Sequence, residues 1–372
     1  MKVFNYQSGT PGNADICITY GKDPLSMTAK LLEACNLAQL IGDRGKTIAL
    51  KPNLITSTTA DHGAVTHPEI VVATIEYLKE NGFENIKVVE SAWVGDNTRR
   101  AFAVNGYNEI SKKYNVPLVD VKSDSYIKYK SDGIEMELSR QAVEADFLIN
   151  MPVLKGHCQT LMTCALKNMK GILSDKSKRM FHSLGLHKPI AVLNKLRKQD
   201  FILVDNINGD LEFEEGGTPV YSYRMFAGTD PLLMDCYCAT QMGFSPDEIG
   251  YIRHAKQLGI GNGDLSKLVI AELDKAICLP SRSTGRARSL AQCVNQDSAC
   301  SACYANLINA LARMDENGTL RNLNGKEVCV GQGFRGKEKS CIGIGNCTRG
   351  FSINVKGCPP SAISIRQKLE DL

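Results

Sequence analysis

The cysteines are the most constraining feature of this chain, because half of its 14 lie in the C-terminal quarter. These seven are Cys293, Cys300, Cys303, Cys329, Cys341, Cys347 and Cys358. In a long chain without a secretory signal, cysteines hold a metal or take part in redox chemistry more often than they form a disulfide framework. The C-terminal quarter is therefore predicted to be a separate unit organised by a metal centre.

Four of these cysteines have the spacing of cluster ligands. Cys300 and Cys303 are two residues apart, so one turn of the chain can ligate a metal centre from two sides. Cys347 and Cys358 each follow closely on a glycine, which permits close approach of the backbone to a cluster. A cysteine followed by proline, as Cys358 is, is often the last ligand of a [4Fe–4S] site. These four residues are predicted to hold a [4Fe–4S] cluster.

Other interpretations of the same cysteines remain open at this point. Zinc competes, because four-cysteine zinc sites use similar pairs. A zinc ribbon normally has two short-spaced pairs, however, whereas Cys347 and Cys358 stand singly. A third alternative is that no metal binds. Cys341 could replace Cys347 as a ligand, and Cys293 or Cys329 could be a plain buried thiol.

The rest of the chain alternates short β-branched runs with amphipathic helical stretches, which is typical of parallel strands joined by crossover helices. The clearest helix covers residues 67–81, with Pro68 in its first turn and Gly82 after its end. The predicted strands are Ile16–Tyr20, Thr47–Leu50, Ile86–Glu90, Pro117–Val121, Phe147–Asn150 and Phe201–Asp205. We predict an α/β domain with a mostly parallel sheet and flanking helices over residues 1–278. A small cysteine-rich iron–sulfur domain is predicted over residues 290–372, beyond a Ser-, Arg-, Gly- and Pro-rich boundary at 279–289.

Polar side chains follow the predicted strand ends, which is where open α/β sheets bind ligands. Lys51 and Asn53 come after one strand, and the stretch 150–171 after another is dense in lysine, histidine and asparagine. Such a group of cations suits a carboxylate or a phosphate. The competing interpretation is a basic helix face that points to water. The predicted substrate-binding residues are Lys51, Asn53, Asn168 and Lys170.

Five residues are predicted to carry the chemistry of this crevice: Lys155, His157, Lys167, His182 and Asp205. The segment 178–182 is polar, so we expect it on the surface as a lid. The acidic run Asp205–Asp210 is expected to be a loop that supplies a base or a carboxylate to orient one.

Composition excludes several classes of protein. With 43% hydrophobic and 23% charged residues the chain is an ordinary globular one. Its net charge of +4 is too small to indicate binding to nucleic acid, and no apolar run is long enough to span a membrane. Residues Met1–Thr10 are too polar for a signal peptide, so a cytoplasmic protein is expected. Dinucleotide-binding, Walker and esterase motifs are absent from the sequence.

The order of several weak motifs resembles one family, the domain of unknown function 362 proteins. The resemblance covers most of the chain, and the motifs that carry it are Lys51-Pro52-Asn53, Thr66-His67-Pro68, Val89-Glu90-Ser91, the run Asn150–His157, the run Ala165–Gly171, Phe181-His182, Gly216–Pro219, Ala227–Asp230 and Leu258–Gly261. Cys158 departs from the family pattern and leaves open a reactive or metal-binding thiol beside His157. The resemblance implies an α/β body and a C-terminal [4Fe–4S] cluster. A distant similarity to the nickel-pincer lactate racemase group implies a small hydroxy-acid or carboxylate substrate.

Three functional hypotheses follow from the sequence. In the first, the protein is an iron–sulfur redox enzyme that acts on a small anionic substrate, with His157 or His182 transferring a proton. In the second, it is a non-catalytic electron carrier or cluster-assembly partner that docks a redox partner protein. In the third, the crevice performs acid–base chemistry such as racemisation and the cluster is structural. The distance between cluster and crevice is the observation that bears most on the choice.

Overall fold

The computed structural model describes residues 7–279, 285–323 and 325–372. Residues 280–284, in the predicted domain boundary, lie outside the described residues. The strands are β1 (Gln7–Ser8), β2 (Ile16–Tyr20), β3 (Ile48–Pro52), β4 (Ile86–Glu90), β5 (Leu118–Asp120), β6 (Tyr126–Ser131), β7 (Ile134–Ser139), β8 (Phe147–Met151), β9 (Lys155–His157), β10 (Leu161–Thr163), β11 (Phe201–Asp210), β12 (Pro219–Gly228), β13 (Val269–Glu272), β14 (Val294–Gln296), β15 (Val328–Val330), β16 (Glu338–Ile344) and β17 (Gly350–Val355). The α-helices are α1 (Pro24–Ala34), α2 (Leu37–Ile41), α3 (Pro68–Glu80), α4 (Thr98–Val104), α5 (Tyr107–Tyr114), α6 (Arg140–Val143), α7 (Ala165–Asn168), α8 (Asp175–Ser183), α9 (His187–Leu196), α10 (Pro231–Gln241), α11 (Gly250–Gln257), α12 (Gly285–Leu290), α13 (Ser301–Glu316) and α14 (Ala362–Glu370).

A nine-stranded sheet forms the body of the molecule, in the order β1-β13-β2-β12-β11-β8-β3-β4-β5. Only β12 runs antiparallel to its neighbours in this described sheet. The predicted α/β fold with a mostly parallel sheet is confirmed. The five residues of β3 are all buried, because strands with helices on both faces of the sheet are apolar on both sides. Ile48 and Leu50 pack in one core cluster and Ala49 in the other, so each face of the sheet has its own core.

A second, four-stranded parallel sheet, β14-β15-β16-β17, forms near the C-terminus. Helices α13 and α14 pack together beside it, and α13 also packs against β12 of the large sheet. Their shared core includes Leu211 and Val220 of the β11–β12 hairpin. The cysteine-rich part of the chain is therefore attached to the body through this hairpin.

Two segments differ from the sequence-based expectation. The acidic run that ends at Asp210 is not a loop: β11 continues through it, paired with β12 in a long hairpin that has an irregularity between Asn206 and Asn208. The segment 178–182 belongs to helix α8, which Ser174 caps by accepting a hydrogen bond from the Ser177 N–H. Among the described residues, no helix has the length and apolarity that crossing a bilayer requires.

Candidate functional site

A cavity of about 240 Å³ lies at the carboxyl ends of β3 and β4. The structure brings five of the predicted site residues to its wall: Asn53, Lys167, Asn168, Lys170 and His182. Further residues of the wall were not predicted as site residues: Glu90, Ser91, Trp93, Lys178 and Arg179. Of these, Glu90 and Ser91 belong to a motif that marks a strand end, whereas nothing in the sequence points to Trp93. The cavity combines one apolar side with a strongly basic one.

A buried ion pair lies beneath the cavity. Lys51 Nζ lies 2.6 Å from Glu90 Oε2, and both side chains are almost fully excluded from solvent. Lys51 therefore does not line the cavity, and its charge is balanced by Glu90. Gly171 packs directly over this pair, because a Cβ at that position would overlap Glu90 Oε1 and Lys51 Nζ. The glycine of the Asn168–Gly171 segment thus lets the backbone close over the pair.

Lys167 is the most unusual group in the wall. It is 6% exposed, and its Nζ donates a hydrogen bond of 3.1 Å to Thr163 Oγ1. Burial lowers its pKa well below the usual value, and the charges of Lys170 and Lys155 lower it further. Among the described residues, no carboxylate lies within ion-pairing distance of Lys167 or Lys170. The Glu214 carboxylate acts on both lysines from beyond ion-pairing distance and raises their pKa values. An anion that entered the cavity would add a counter-charge in direct contact and offset part of the cost of burying these amines.

Two further lysines strengthen the positive potential. Burial lowers the pKa of Lys170 to about 8 and that of Lys178 to about 7. Lys178 Nζ is held by Ser91, donating to its Oγ at 2.6 Å, and also donates to the Ala92 carbonyl. Lys178 is therefore held in position, whereas no hydrogen bond or ion pair within the described part of the chain engages the Lys170 amine.

Lys155 lies behind the wall rather than in it. Its buried Nζ donates to the carbonyls of Ala64 and Glu214 and to Asn53 Oδ1 at 3.5 Å. Burial lowers the pKa of Lys155 to about 7. These contacts give Lys155 the geometry of a positioning residue for Asn53 and for the loop that carries Glu214.

His157 also lies behind the wall, and its hydrogen bonds fix its tautomer. Nδ1 accepts from the backbone N–H groups of Gln159 (3.0 Å) and Thr160 (3.3 Å), so the proton of the neutral ring is on Nε2. Burial and the charges of Lys167, Lys170 and Lys155 lower its pKa far below the usual range. Nε2 lies 3.5 Å from Glu214 Oε1. His157 is thus a neutral donor, which does not favour the proton-transfer role expected from the sequence.

The other two predicted catalytic residues separate. His182 lies at the cavity wall and is exposed overall. Partial desolvation of its ring and the charges of Lys170 and Lys167 lower its pKa. Asp205 is fully buried and accepts hydrogen bonds from the backbone N–H of His67 at 2.9 Å and from its Nδ1 at 2.7 Å. Asp205 therefore orients His67 outside the cavity wall, not the histidines of the crevice. The pKa of His67 is raised above its ordinary value, because the effect of the Asp205 carboxylate outweighs that of burial, which acts to lower it.

The four cysteines predicted as cluster ligands lie near one another. Burial raises the pKa of Cys303, and the nearby Cys300, Cys358 and Cys347 raise it further. Arg335 donates to Cys347 Sγ at 3.5 Å. The donor set is therefore four thiols from three segments of the chain, which fits the ligand requirement of a [4Fe–4S] cluster.

Cys278 is a fifth thiol at this position, and it was not among the predicted ligands. Its Sγ lies 3.5 Å from Cys300 Sγ, and Gln332 Nε2 donates to both sulfurs. The backbones of Cys278 and Cys300 form an isolated antiparallel bridge. Cys278 stands alone in the sequence, 22 residues before Cys300, so no short-range spacing could have indicated it.

Within the described part of the chain, two groups bring three possible metal-ligand atoms within 4.8 Å of one another. One is His157, Cys158 and Glu214, and the other is Glu327, Cys329 and Cys341. A metal ion at His157 Nε2 would require removal of the proton that the Nδ1 hydrogen bonds place there, and nearby lysines repel cations. The first group therefore does not favour a metal. The second group has no such obstacle.

Comparison with known proteins places the chain in a family. Residues 48–240, just over half of the chain, match the family described as Domain of unknown function (DUF362). The chain belongs to the DUF362 family. The matched region includes β3, β4, α7 and α8, so it contains the whole cavity wall named above. The cysteines from Cys278 onward lie outside the matched DUF362 region.

This DUF362 protein is also similar to the thylakoid-associated protein sll1697 of Synechocystis sp., with 30% identity over 138 residues. The match covers 37% of this chain and 42% of that relative, so the chain spans less than half of the relative's length. Among solved structures, the lactate racemase apoprotein of Thermoanaerobacterium thermosaccharolyticum aligns with a TM-score of 0.38 and 15% identity. That alignment covers 69% of this chain and 58% of the racemase chain.

Proposed function

We propose that this protein is an enzyme that binds a small organic anion in the cavity and moves a proton on it, and that its C-terminal cysteines hold a [4Fe–4S] cluster. One observation carries the first part: the buried amine of Lys167 faces a cavity with Lys170 and has no carboxylate partner among the described residues. A carboxylate or phosphate group supplies a counter-charge in direct contact with these amines, on which Glu214 acts only from beyond ion-pairing distance.

Each residue of the wall has a role in this proposal. Lys167 and Lys170 bind the anion, and Asn53, whose Oδ1 accepts from Lys155, directs its Nδ2 donor to it. Asn168 Nδ2 donates to Asn150 Oδ1 and to the Lys51 carbonyl, so Asn168 shapes the wall instead of donating to the anion. Before binding, partial burial together with the charges of Lys170 and Lys167 lowers the pKa of His182, so the ring is neutral and able to accept a proton. A bound anion offsets the lysine charges, so the pKa of His182 rises and the histidine becomes a better base when the substrate is present. Trp93 and Ile55 give the organic part of the substrate an apolar wall.

Cys300, Cys303, Cys347 and Cys358 are the proposed cluster ligands. A single zinc ion with Zn–S bonds of about 2.3 Å holds its sulfurs only ~3.8 Å apart. The four cysteines are in neither of the two compact ligand groups among the described residues, and a cubane cluster holds its thiolates at the corners of a larger tetrahedron. We favour a cluster over zinc because the second half of the ligand set is two single cysteines and not a short-spaced pair. When bound, the cluster supplies one-electron redox chemistry or structural cross-linking.

The positions of the two sites favour acid–base chemistry in the cavity. Arg224 of β12 acts electrostatically on Cys303, and Glu272 of β13 acts on Cys358, so the cysteines lie near those strands. Two strands separate β12 from β3, so at about 4.8 Å per strand the sites are on the order of 14 Å apart or more along the sheet. Direct coordination of the substrate by the cluster is disfavoured. Redox chemistry remains a second candidate, because both sites lie at the same edge of the sheet.

Proton transfer can be tested without knowing the substrate. Full-length, anaerobically purified protein is incubated in D₂O with a panel of small hydroxy- and oxo-acids, and exchange of carbon-bound hydrogen is followed by NMR. We expect exchange with at least one acid, and its loss in His182→Gln. Binding of that acid is measured by calorimetry for Lys167→Met, with Lys176→Met as a matched control because Lys176 is exposed on α8. Equal binding by both variants would contradict the proposal.

A further inference from the structure

The second compact ligand group belongs to the small C-terminal sheet. Glu327 immediately precedes β15 and Cys329 lies within it, so the period of two along a strand directs both side chains to the same face. Cys341 lies on the adjacent strand β16. Cys329 Sγ is 3.7 Å from Cys341 Sγ and 3.4 Å from Glu327 Oε2. The structure therefore pairs Cys341 with Cys329 rather than with the four cysteines proposed to hold the cluster.

These distances match the edges of a tetrahedral zinc site. With Zn–S bonds of about 2.3 Å and Zn–O bonds of about 2.0 Å, two sulfurs lie ~3.8 Å apart and a sulfur and an oxygen ~3.5 Å apart. The observed separations are 3.7 Å and 3.4 Å. A cluster of several irons would not fit three donor atoms at this spacing. We propose that Cys329, Cys341 and Glu327 form a binding site for one thiophilic divalent cation of the zinc type, distinct from the iron–sulfur site.

The surroundings hold these three ligands in place. Glu327 Oε1 accepts a hydrogen bond of 2.7 Å from Asn295 Nδ2 of β14, which leaves Oε2 directed toward Cys329. Cys329 is fully buried beside Phe334 and Phe351, whose rings pack edge to face at 5.6 Å. Glu327 is exposed, so solvent can supply the fourth ligand and the ion can enter from that side. An outer hydrogen bond to a ligating carboxylate, such as that from Asn295, typically improves metal affinity 10–100-fold.

Cobalt is the probe for this site, because tetrahedral Co²⁺ with thiolate ligands has intense visible and charge-transfer bands. Full-length protein that has been purified anaerobically and loaded with iron is titrated with Co²⁺ and then with Zn²⁺ as competitor. We expect one cobalt per chain with a tetrahedral spectrum that zinc abolishes. The iron content should stay constant throughout the titration, since the two sites share no ligand.

Variants separate this site from the cluster site. Cys341→Ser should abolish the thiolate–cobalt bands, and Glu327→Gln and Asn295→Ala should each weaken cobalt binding by about tenfold or more. Because Glu327 and Asn295 lie near the surface, these two variants test the site even if a buried cysteine variant does not fold. Cys293→Ser, a cysteine of the same sheet region, should leave the bands unchanged.

Three results would overturn the proposal. They are the absence of a tetrahedral cobalt spectrum, cobalt bands that survive in Cys341→Ser but disappear in Cys303→Ser, and a Cys329–Cys341 disulfide found by mass spectrometry in the anaerobically purified protein. The second result would place the cobalt among the proposed cluster ligands instead.

Discussion

At the scale of single residues, the buried lysines determine how the protein responds to pH. The pKa values of Lys155 and Lys178 are lowered to about 7 and that of Lys170 to about 8. Unfolding restores the ordinary lysine pKa, so above these values the unfolded chain binds more protons than the folded one. The free energy of unfolding therefore rises with pH over this window.

We expect the protein without ligand to become more stable from about pH 7 to about pH 8.5, and a dicarboxylate such as succinate to bind more weakly over the same range. Binding weakens because the lysines lose the protons that attract the anion, while succinate keeps its charge. Urea unfolding and calorimetry measure the two trends. Stability that does not rise over this range would show that the lysines remain protonated in the folded state.

Cys278 gives a second prediction at this scale. Four thiolates satisfy the four irons of a cubane, so the fifth thiol is not required if the proposed ligand set is right. Cys278→Ser should retain about four irons per chain, and Cys303→Ser should lose most of its iron. Iron and acid-labile sulfide analysis of both variants measures this. Iron retained in Cys300→Ser and lost in Cys278→Ser would show that Cys278, 3.5 Å away, takes the place of Cys300.

At the scale of elements, the segment that closes over the buried ion pair depends on one glycine. Gly171→Ala would drive a methyl group into the Lys51–Glu90 pair. Separating a buried pair leaves uncompensated charges, so we expect a loss of about 3 kcal/mol in stability and weaker anion binding. Gly12→Ala is the control, because its Cβ would meet open space. Urea unfolding that gives equal stabilities for the two variants would rule out the packing described here.

The elements that the sequence predicts well are those whose local pattern agrees with their final environment. β2 and β4 have the predicted bounds, because apolar runs suit strands that are covered on both faces. β11 extends past its predicted end since pairing with β12 decides the conformation of its polar half. Helix α8 was expected as a surface lid because its sequence is polar, yet Lys178 turns inward to Ser91. In both β11 and α8, contacts between segments that are distant in the sequence determine the structure.

The candidate site shows the same division. The lysines and asparagines after the strands could be read from the sequence, because strand ends of a parallel sheet meet at one edge. The sequence could not show which lysines line the cavity and which support it from behind, because that depends on the carbonyls or carboxylates that each lysine contacts. Lys155 donates to two carbonyls, Lys51 pairs with Glu90, and Lys167 donates to the hydroxyl of Thr163.

At the scale of the whole molecule, one sheet connects the two sites and also keeps them apart. The cavity lies over β3 and β4, whereas the cysteine cluster lies near β12 and β13, with β11 and β8 between β12 and β3. Mutations more than 7–10 Å apart that share no partner usually act independently. Anion binding and iron binding should therefore be separable properties of one chain.

This independence leads to a prediction that uses both sites. Lys167→Met should weaken succinate binding at least about tenfold, the loss expected for one charge-assisted contact, and leave the iron content unchanged. Cys303→Ser should lose iron and keep the wild-type Kd for succinate. In the wild-type protein, saturating succinate should leave the electron paramagnetic resonance spectrum of the reduced cluster unaltered, because a separation on the order of 14 Å along the sheet disfavours direct coordination. A spectrum that changes on binding would indicate that the cluster lies close to the substrate, and it would favour the redox function over the acid–base function.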